Sequence, residues 1–303
     1  MPEYRAHFDF DIRFANGGGL TGEAFRLDVP SAAISERDLE LLLIEHLGLT
    51  LVGSVTIRDL QVVEEPHRGS RGVDTGAQPS ARRIVDLSHP IRAGLVTYPG
   101  LPAPTITPHL TREDSRARYA PGTEFAMDIL TMVGNTGTYL DSPFHRYADG
   151  ADLAGLDLAT LVGLRAEVFH LEDVWSATDR GIRTAVLADR DVRGAAVLLH
   201  TGWDRWFGAP EYGVGAPFLT GEAAQWLIDA GAVLVGIDSV NIDDTESGGE
   251  RPAHSLLLAA GVHVVEHLTR LGELPPRGAR FTAAPPAVEG FGTFPVRAFA
   301  EIG

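Results

Sequence analysis

The hydrophobic pattern divides the chain into a short part and a long part. Every second residue from Phe8 to Phe14 is apolar, which is typical of a half-buried strand. Residues 23–29 predict a second strand, Ser35 is placed to cap a helix that ends near Leu47, and residues 51–63 alternate again. The short part is therefore predicted to be a small α+β domain with the element order β-β-α-β.

From Arg83 onward, strand-like and helix-like segments follow each other, which predicts an α/β domain. A helix is expected over residues 221–230, Gly231 ends it in the left-handed conformation, and an apolar strand follows over residues 232–238. The same order of helix, glycine and strand recurs over residues 253–265. Such a continuous apolar strand is expected inside a sheet that is covered on both faces.

One segment has the composition of a linker. Residues 67–82 are rich in glycine, serine and charge, and they show no hydrophobic period. We therefore expect a small domain over residues 1–66, a linker over residues 67–82 and a catalytic domain over residues 83–303.

The amino-acid composition and the net charge limit which classes of molecule the protein is expected to bind. The 25 Lys and Arg residues against 41 Asp and Glu residues give a formal net charge of −16, which repels phosphate backbones and anionic lipid headgroups. We expect a small-molecule substrate, and neither nucleic acid nor a membrane as partner. The absence of cysteine excludes thiolate catalysis, iron–sulfur clusters and cysteine-bound zinc. The first residues carry no apolar signal segment, so we expect a cytoplasmic protein.

The densest group of polar residues follows a predicted strand over residues 123–133. The chain contains no G-x-S-x-G elbow, no phosphate-binding P-loop and no H-E-x-x-H metal motif. Residues 134–150 instead contain Asp141 and His145, and loops at strand ends are where α/β folds place their sites. An aspartate and a histidine this close can act as a base with its orienting group or bind one cation, but a solvated loop explains them equally well.

A second pair of titratable residues, His254 and Glu266, lies on the last predicted helix and strand. A helix of ~7 residues rises about 10 Å, and a five-residue strand returns roughly 13 Å. Both side chains are therefore predicted at the same end of the domain, where Asp238 to Asp243 also follow a buried strand. The alternative is that His254 only begins a helix and Glu266 only leaves a strand.

At these residues the sequence resembles the bacterial kynurenine formamidase and isatin hydrolase group, a family of cyclases. Its signature, His-x-Gly-Thr-His-x-Asp-x-Pro-x-His, stands here as Asn135-Thr-Gly-Thr-Tyr139-Leu-Asp141-Ser-Pro-Phe-His145. The resemblance extends from Arg83 to the C-terminus. It implies the swivelling β/β/α fold, a homodimer or homotetramer with the site near a subunit interface, and hydrolysis of small amides, often with zinc or manganese.

The sequence departs from the signature at two metal positions. In the family, its first two histidines and its aspartate hold the principal metal, and Asn135 and Tyr139 replace those histidines here. A neutral amide and an un-ionised phenol are poorer ligands than imidazole for zinc or manganese. The retained acidic and basic groups either hold a single Zn or Mn ion or form a cluster with no cofactor; they are Asp141, His145, His254 and Glu266. In the metal-free case the Tyr139 phenol transfers a proton and Asn135 stabilises an oxyanion.

The resulting prediction is an enzyme that hydrolyses an amide, or a cyclic amide or ester, in a small carbonyl compound by acid/base catalysis. His145 is the predicted base, His254 and Glu266 are its partners, and Asp141 orients the cluster. Tyr139 completes the predicted catalytic set. Asn135, Thr138, Phe144 and Trp203 are the predicted substrate-binding residues. Two alternatives stay open: a metal-free cyclase, dehydratase or isomerase of a biosynthetic pathway, and a catalytically inactive binding relative.

Overall fold

The structure, a computed structural model, describes residues 4–64 and 83–303. The predicted linker over residues 67–82 lies outside the described residues. The chain divides into two compact units, Met1–Gln78 and Pro79–Gly303. In the described ranges, no helix is both long enough and apolar enough to cross a membrane.

The first unit is a three-stranded antiparallel sheet with one helix. Its elements are β1 (Tyr4–Phe14), β2 (Gly19–Val29), α1 (Glu36–His46) and β3 (Val52–Glu64), and the sheet order is β2-β1-β3. Ser35 caps α1 by accepting a hydrogen bond from the Asp38 amide. The alternating apolar residues of β1, including Phe8 and Phe10, pack with Leu39 and Leu43 of α1. The predicted elements of this part are present.

The second unit contains the remaining elements. In chain order, its strands are β4 (Arg83–Asp86), β5 (Thr105–Leu110), β6 (Met127–Thr131), β7 (Tyr139–Asp141), β8 (Leu164–His170), β9 (Gly181–Ile182), β10 (Ala195–His200), β11 (Phe218–Leu219), β12 (Leu234–Ile237), β13 (His263–Glu266), β14 (Ala279–Thr282), β15 (Thr293–Pro295) and β16 (Phe299–Ile302). Its helices are α2 (Arg112–Ser115), α3 (Gly221–Asp229) and α4 (Pro252–Ala259), with single turns of 3₁₀ helix between other elements.

Nine of these strands form one mixed sheet with the order β15-β7-β13-β12-β10-β8-β14-β16-β4. The four central strands β13, β12, β10 and β8 are parallel, and antiparallel strands flank them. Both faces of the sheet are buried, because alternate residues of β10 enter different cores: Leu198 packs in one, and Leu199 packs in the other with α3 and α4. This is the two-sided burial that the continuous apolar strands predict.

The helices agree with the sequence pattern, but the strand before the polar segment differs from it. Gly231 and Gly261 follow α3 and α4 with φ of +84° and +73°, the left-handed conformation that ends a helix. The strand predicted over residues 123–133 is the five-residue β6, which pairs with β5 in a separate ribbon and not with the large sheet. All five residues of β6 are exposed, so its apolar side chains do not mark a core strand.

Candidate active site

The short strand β7 presents two predicted site residues on one face of the sheet. Tyr139 pairs with Glu266 of β13, and Asp141 pairs with Thr293 of β15. Because side chains alternate along a strand, these four point to the same side, while Leu140 enters the core on the opposite side. The Tyr139 hydroxyl donates a hydrogen bond to Glu266 Oε2 at 2.6 Å, and the Thr293 hydroxyl donates one to Asp141 Oδ1.

His254 reaches the same place from the first turn of α4. The Asp243 carboxylate accepts hydrogen bonds from the backbone amides of Ala253 and His254 at 2.6 and 3.0 Å. It also accepts a hydrogen bond from His254 Nδ1 at 2.8 Å. The ring is thereby fixed so that Nε2 lies 3.5 Å from Asp141 Oδ2 and 3.5 Å from Glu266 Oε1. The return of helix and strand that the sequence predicts therefore brings His254 and Glu266 together.

His145 joins this group at the edge of a cavity of about 320 Å³. Its Nδ1 lies 2.7 Å from the Thr293 hydroxyl, its Nε2 lies 3.8 Å from Asp141 Oδ1, and its ring centre is 6.2 Å from that of His254. Asn135, Tyr139, His145, His254 and Glu266 line the cavity. The structure thus brings all five predicted catalytic residues into one cluster, with Asp141 buried next to the cavity.

The predicted substrate-binding residues separate into two groups. Asn135 lines the cavity, and Phe144 lines a neighbouring one of about 290 Å³ that Asn135 and His145 also border. Thr138 and Trp203 line neither cavity. The Thr138 hydroxyl donates to the carbonyl of His267 at 2.6 Å, and the Trp203 indole donates to the carbonyl of Tyr212 at 2.9 Å. The polar atoms of both side chains therefore stabilise the backbone of neighbouring loops and do not face either cavity.

Two residues that contact the cluster belong to no motif that the sequence analysis identified. Asp243 orients His254, and the only signal for it was its position in a polar segment at the end of a buried strand. His267 is buried, and its Nε2 lies 3.2 Å from the Tyr139 hydroxyl, while its Nδ1 lies 2.9 Å from the Tyr212 hydroxyl. Because the Tyr139 proton is donated to Glu266, the imidazole of His267 donates to the Tyr139 oxygen.

Burial and charge shift the pKa values of the cluster in different directions. Burial lowers the pKa of His254, but the charges of Glu266, Asp141 and Asp243 outweigh it and raise that pKa to about 10. Burial raises the pKa of Glu266 to about 7, although the charge of His254 acts in the opposite direction. Burial also opposes ionisation of Asp141, yet the nearby His254 and His145 keep the pKa of its carboxyl below the ordinary value. The acidic groups of the cluster therefore favour the charged form of His254, while burial disfavours the charged form of Glu266.

The same residues fit one divalent ion. Asp141, His254 and Glu266 each offer a ligand atom, all within 4.8 Å of one another. Asp141 Oδ2 is buried and has no hydrogen-bond partner in the described residues, and His254 keeps Nε2 for a metal when Nδ1 donates to Asp243. The Tyr139 hydroxyl is a donor to Glu266, so it does not belong to this ligand set.

Comparisons with known proteins agree with this fold. Kynurenine formamidase from Geobacillus thermodenitrificans is 30% identical over 216 residues, which cover 71% of this chain and 95% of the relative. The kynurenine formamidase from Paracidovorax citrulli is 30% identical over 72% of this chain and 95% of its own. An isatin hydrolase bound to the product analogue thioisatinate has the same fold, with a TM-score of 0.63 at 23% identity over 73% of this chain and 92% of its own.

A structure described as a potential metal-dependent hydrolase with cyclase activity aligns with a TM-score of 0.59 at 28% identity, over 74% of this chain and 99% of its own. The mixed sheet, the cluster of acidic and basic groups and the relatives together define the chain as a hydrolase. A family model described as "Putative cyclase" matches residues 85–244. The chain belongs to this cyclase family, so the family resemblance seen in the sequence is confirmed.

Proposed function

We propose that the chain hydrolyses an amide bond, open or cyclic, or the related ester, in a small carbonyl compound. The observation that carries the proposal is the position of His254, whose Nε2 lies 3.5 Å from both Asp141 Oδ2 and Glu266 Oε1 beside a cavity of about 320 Å³. The names of the curated relatives support the amide as the bond that is cleaved. For residues 83–303 we also propose the swivelling β/β/α architecture, which the structural likeness supports.

In the proposed reaction, water adds to the carbonyl carbon and the bond to the leaving nitrogen breaks. His145 accepts the proton of the water, because its Nδ1 is held by Thr293 and Nε2 remains for the reaction. His254 donates a proton to the leaving nitrogen, and Asp141 stabilises the imidazolium before the transfer. Asn135 lines the cavity and is the proposed donor to the oxyanion.

The proposed activity is tested by hydrolysis of formanilide and isatin, an open and a cyclic aryl amide. His145→Gln and His254→Gln are expected to lower turnover about 10²-fold or more, since each removes a proton-transfer group. His46→Gln is the matched control, because this histidine lies on α1 in the first unit. Full turnover by His254→Gln with either substrate, in a variant with an unchanged circular dichroism spectrum, would refute the assignment.

A metal ion, if the protein carries one, is proposed at Asp141, His254 and Glu266; His254 would then bind it through neutral Nε2 and would not donate the proton to the leaving nitrogen. There it would polarise the carbonyl and lower the pKa of a bound water. Elemental analysis of protein purified without chelator is expected to find at most one zinc or manganese ion per chain. Asp141→Asn should abolish retention of that ion, whereas Asn135→Ala should leave it in place. Loss of the ion from Asn135→Ala would show that the family's principal metal position still operates.

A second candidate is a metal-free cyclase, dehydratase or isomerase. It is favoured by one observation: the Tyr139 phenol, at a metal position of the family signature, is hydrogen-bonded to Glu266 at 2.6 Å and can transfer a proton. Reaction of the true substrate in ¹⁸O-labelled water separates the two. Hydrolysis places one labelled oxygen in the product, while isomerisation places none.

A further inference from the structure

A second group of titratable side chains lies at the carboxyl ends of β8 and β10. His170 and His200 are the last residues of these two parallel strands, and they are direct partners in the register. Their side chains therefore lie on the same face of the sheet. Neither histidine lines the catalytic cavity or its neighbour, and the proposed hydrolysis does not use them.

The two imidazoles approach each other through the same kind of atom. Nδ1 of His170 lies 2.9 Å from Nδ1 of His200. Between neutral rings, a hydrogen bond at this distance requires one ring to carry its proton on Nδ1 and the other on Nε2. When both rings carry the proton on Nε2, two lone pairs meet at one place, and a cation is the group that accepts both.

Glu172 adds a carboxylate to the histidine pair. Its Oε2 lies 3.6 Å from His200 Nδ1. Gly202 leaves the space that this side chain occupies, because a Cβ at the glycine would lie 2.9 Å from Glu172 Oε1. In the part of the chain that the structure describes, Glu172 forms no ion pair with an arginine. Its charge is therefore available to a cation at the two rings.

The separations of these atoms match those of ligands on one metal ion. Ligand atoms ~2.1 Å from one ion, at angles of 90 to 110°, are about 3.0 to 3.4 Å apart. The separations of 2.9 and 3.6 Å from His200 Nδ1 lie close to the two ends of this range. The Glu172 side chain is 52% exposed, so it can rotate toward an ion without disturbing the core.

The surroundings keep His200 in the form that binds a metal. Burial lowers the pKa of His200, and the charge of His170 acts in the same direction, against the carboxylates of Glu172 and Asp204. A neutral ring keeps a lone pair for a metal near neutral pH. Gly272 packs closely on this ring, since a Cβ there would lie 3.0 Å from His200 Cε1. The position of the ring is thereby fixed.

We propose that His170, His200 and Glu172 form a site for one divalent ion of the zinc class, with water as the remaining ligand. The ion joins the carboxyl ends of β8 and β10. His170 and Glu172 are exposed, so the ion exchanges with the solution and binds when zinc is added, without being retained through purification. This inference does not depend on the proposed hydrolase function.

The test titrates zinc into the full chain carrying Asp141→Asn, after treatment with chelator and its removal. This substitution takes one ligand from the catalytic cluster. Calorimetry is expected to show uptake of one zinc ion per chain. The midpoint of thermal unfolding should rise with zinc concentration, because the site exists only in the folded chain.

Further substitutions in the same Asp141→Asn chain assign the bound ion. His170→Gln should weaken zinc binding about tenfold or more, and the exposed position of His170 makes the change compatible with folding. Glu172→Gln should also weaken it, since a carboxylate becomes a neutral amide. Asp173→Asn makes the same change in net charge at the next, exposed residue and should leave the affinity unchanged.

Cobalt(II) gives a second measurement that does not depend on affinity. As a paramagnetic ion at this site, it should shift the NMR signals of the His170 and His200 ring protons in the Asp141→Asn chain. If that chain takes up no zinc, or if His170→Gln binds zinc with unchanged affinity, the site is refuted. The histidine pair is then a hydrogen bond only. Cobalt shifts confined to His254 would equally overturn the inference.

Discussion

At the scale of single residues, Tyr139 connects two buried groups of the candidate site. Its hydroxyl donates to Glu266 and accepts from His267, so it connects the buried carboxylate to a neutral imidazole. Burial lowers the pKa of His267 to about 3, which keeps it uncharged over the working pH range. The residue type was visible in the sequence, but its two partners lie 127 and 128 positions away.

Tyr139→Phe removes only the hydroxyl and is expected to affect both stability and turnover. The free energy of unfolding should fall by about 1–3 kcal/mol, because Glu266 Oε2 and His267 Nε2 lose a buried partner. Turnover should fall ~10²-fold if the phenol transfers a proton. Denaturant titration and steady-state kinetics measure the two effects. Tyr147→Phe is the control, since it also loses one hydrogen bond, to a backbone carbonyl. Unchanged turnover would make the phenol structural.

The pH dependence of stability follows from Glu266 and His254. Their folded pKa values, about 7 and about 10, lie above the ordinary values of 4.5 and 6.5. The folded state therefore binds more protons than the unfolded state. The stability that protonated Glu266 contributes is lost as pH rises from about 4.5 to 7. The stability that protonated His254 contributes is lost as pH rises from about 6.5 to 10.

Glu266→Gln should reduce this loss in both ranges, because the variant has no titrating carboxyl and a weaker field at His254. Denaturation midpoints of chelator-treated protein between pH 4.5 and 10 measure the slope. Glu222→Gln on the surface of α3 should keep the slope of the wild type. A steeper decline for Glu266→Gln would contradict the assigned directions.

At the scale of elements, helix α4 and strand β13 were predictable and the loop before them was not. The periodicity and the glycine after the helix predict a helix–strand unit, and the rise per residue predicts that His254 and Glu266 meet. Asp243 lies in a loop of irregular backbone, and its side chain accepts hydrogen bonds from the first turn of α4. Hydrophobic periodicity in the sequence does not reveal such a contact. The strand predicted over residues 123–133 is present as β6, but its pairing with β5 in a separate ribbon could not be predicted from the hydrophobic pattern.

Asp243→Asn tests how this loop controls the site. The amide oxygen still accepts from the helix backbone, but it no longer balances the imidazolium, so the pKa of His254 should fall from its raised value. Turnover is expected to fall about 10- to 100-fold, as for other groups that orient a catalytic or metal-binding histidine. Titration of the His254 ring protons by NMR measures the pKa. Asp229→Asn, at the exposed end of α3, serves as the control and should change neither quantity.

At the scale of the whole molecule, the β5–β6 ribbon supports the proposal of a homodimer or homotetramer. Ile106 pairs with Leu130 across the ribbon, and each side chain is 47% exposed. Contiguous exposed apolar residues on a ribbon favour coverage by another chain. The ribbon leads within a few residues to Asn135 of the cavity.

Sedimentation of the full chain at micromolar concentration is expected to show a dimer or tetramer. Ile106→Asp combined with Leu130→Asp should shift it toward the monomer, because burying two carboxylates in an interface is unfavourable. Leu158→Asp, at an exposed leucine elsewhere in the second unit, should leave the mass unchanged. A monomeric wild-type chain would contradict the proposal that the protein forms a dimer or tetramer.

The three-residue strand β7 also limits how this sequence can diverge. Tyr139 and Asp141 face the cavity while Leu140 lies in the core, and β13 and β15 hold the strand from both sides. Inserting or deleting one residue within it would exchange the faces, placing a carboxylate in the hydrocarbon core and a leucine in the cavity. Point mutations at position 139 therefore leave this register unchanged, whereas a change in the length of the segment does not. Mutant libraries that seek new activities in this fold should vary the residue types of this segment and keep its length constant.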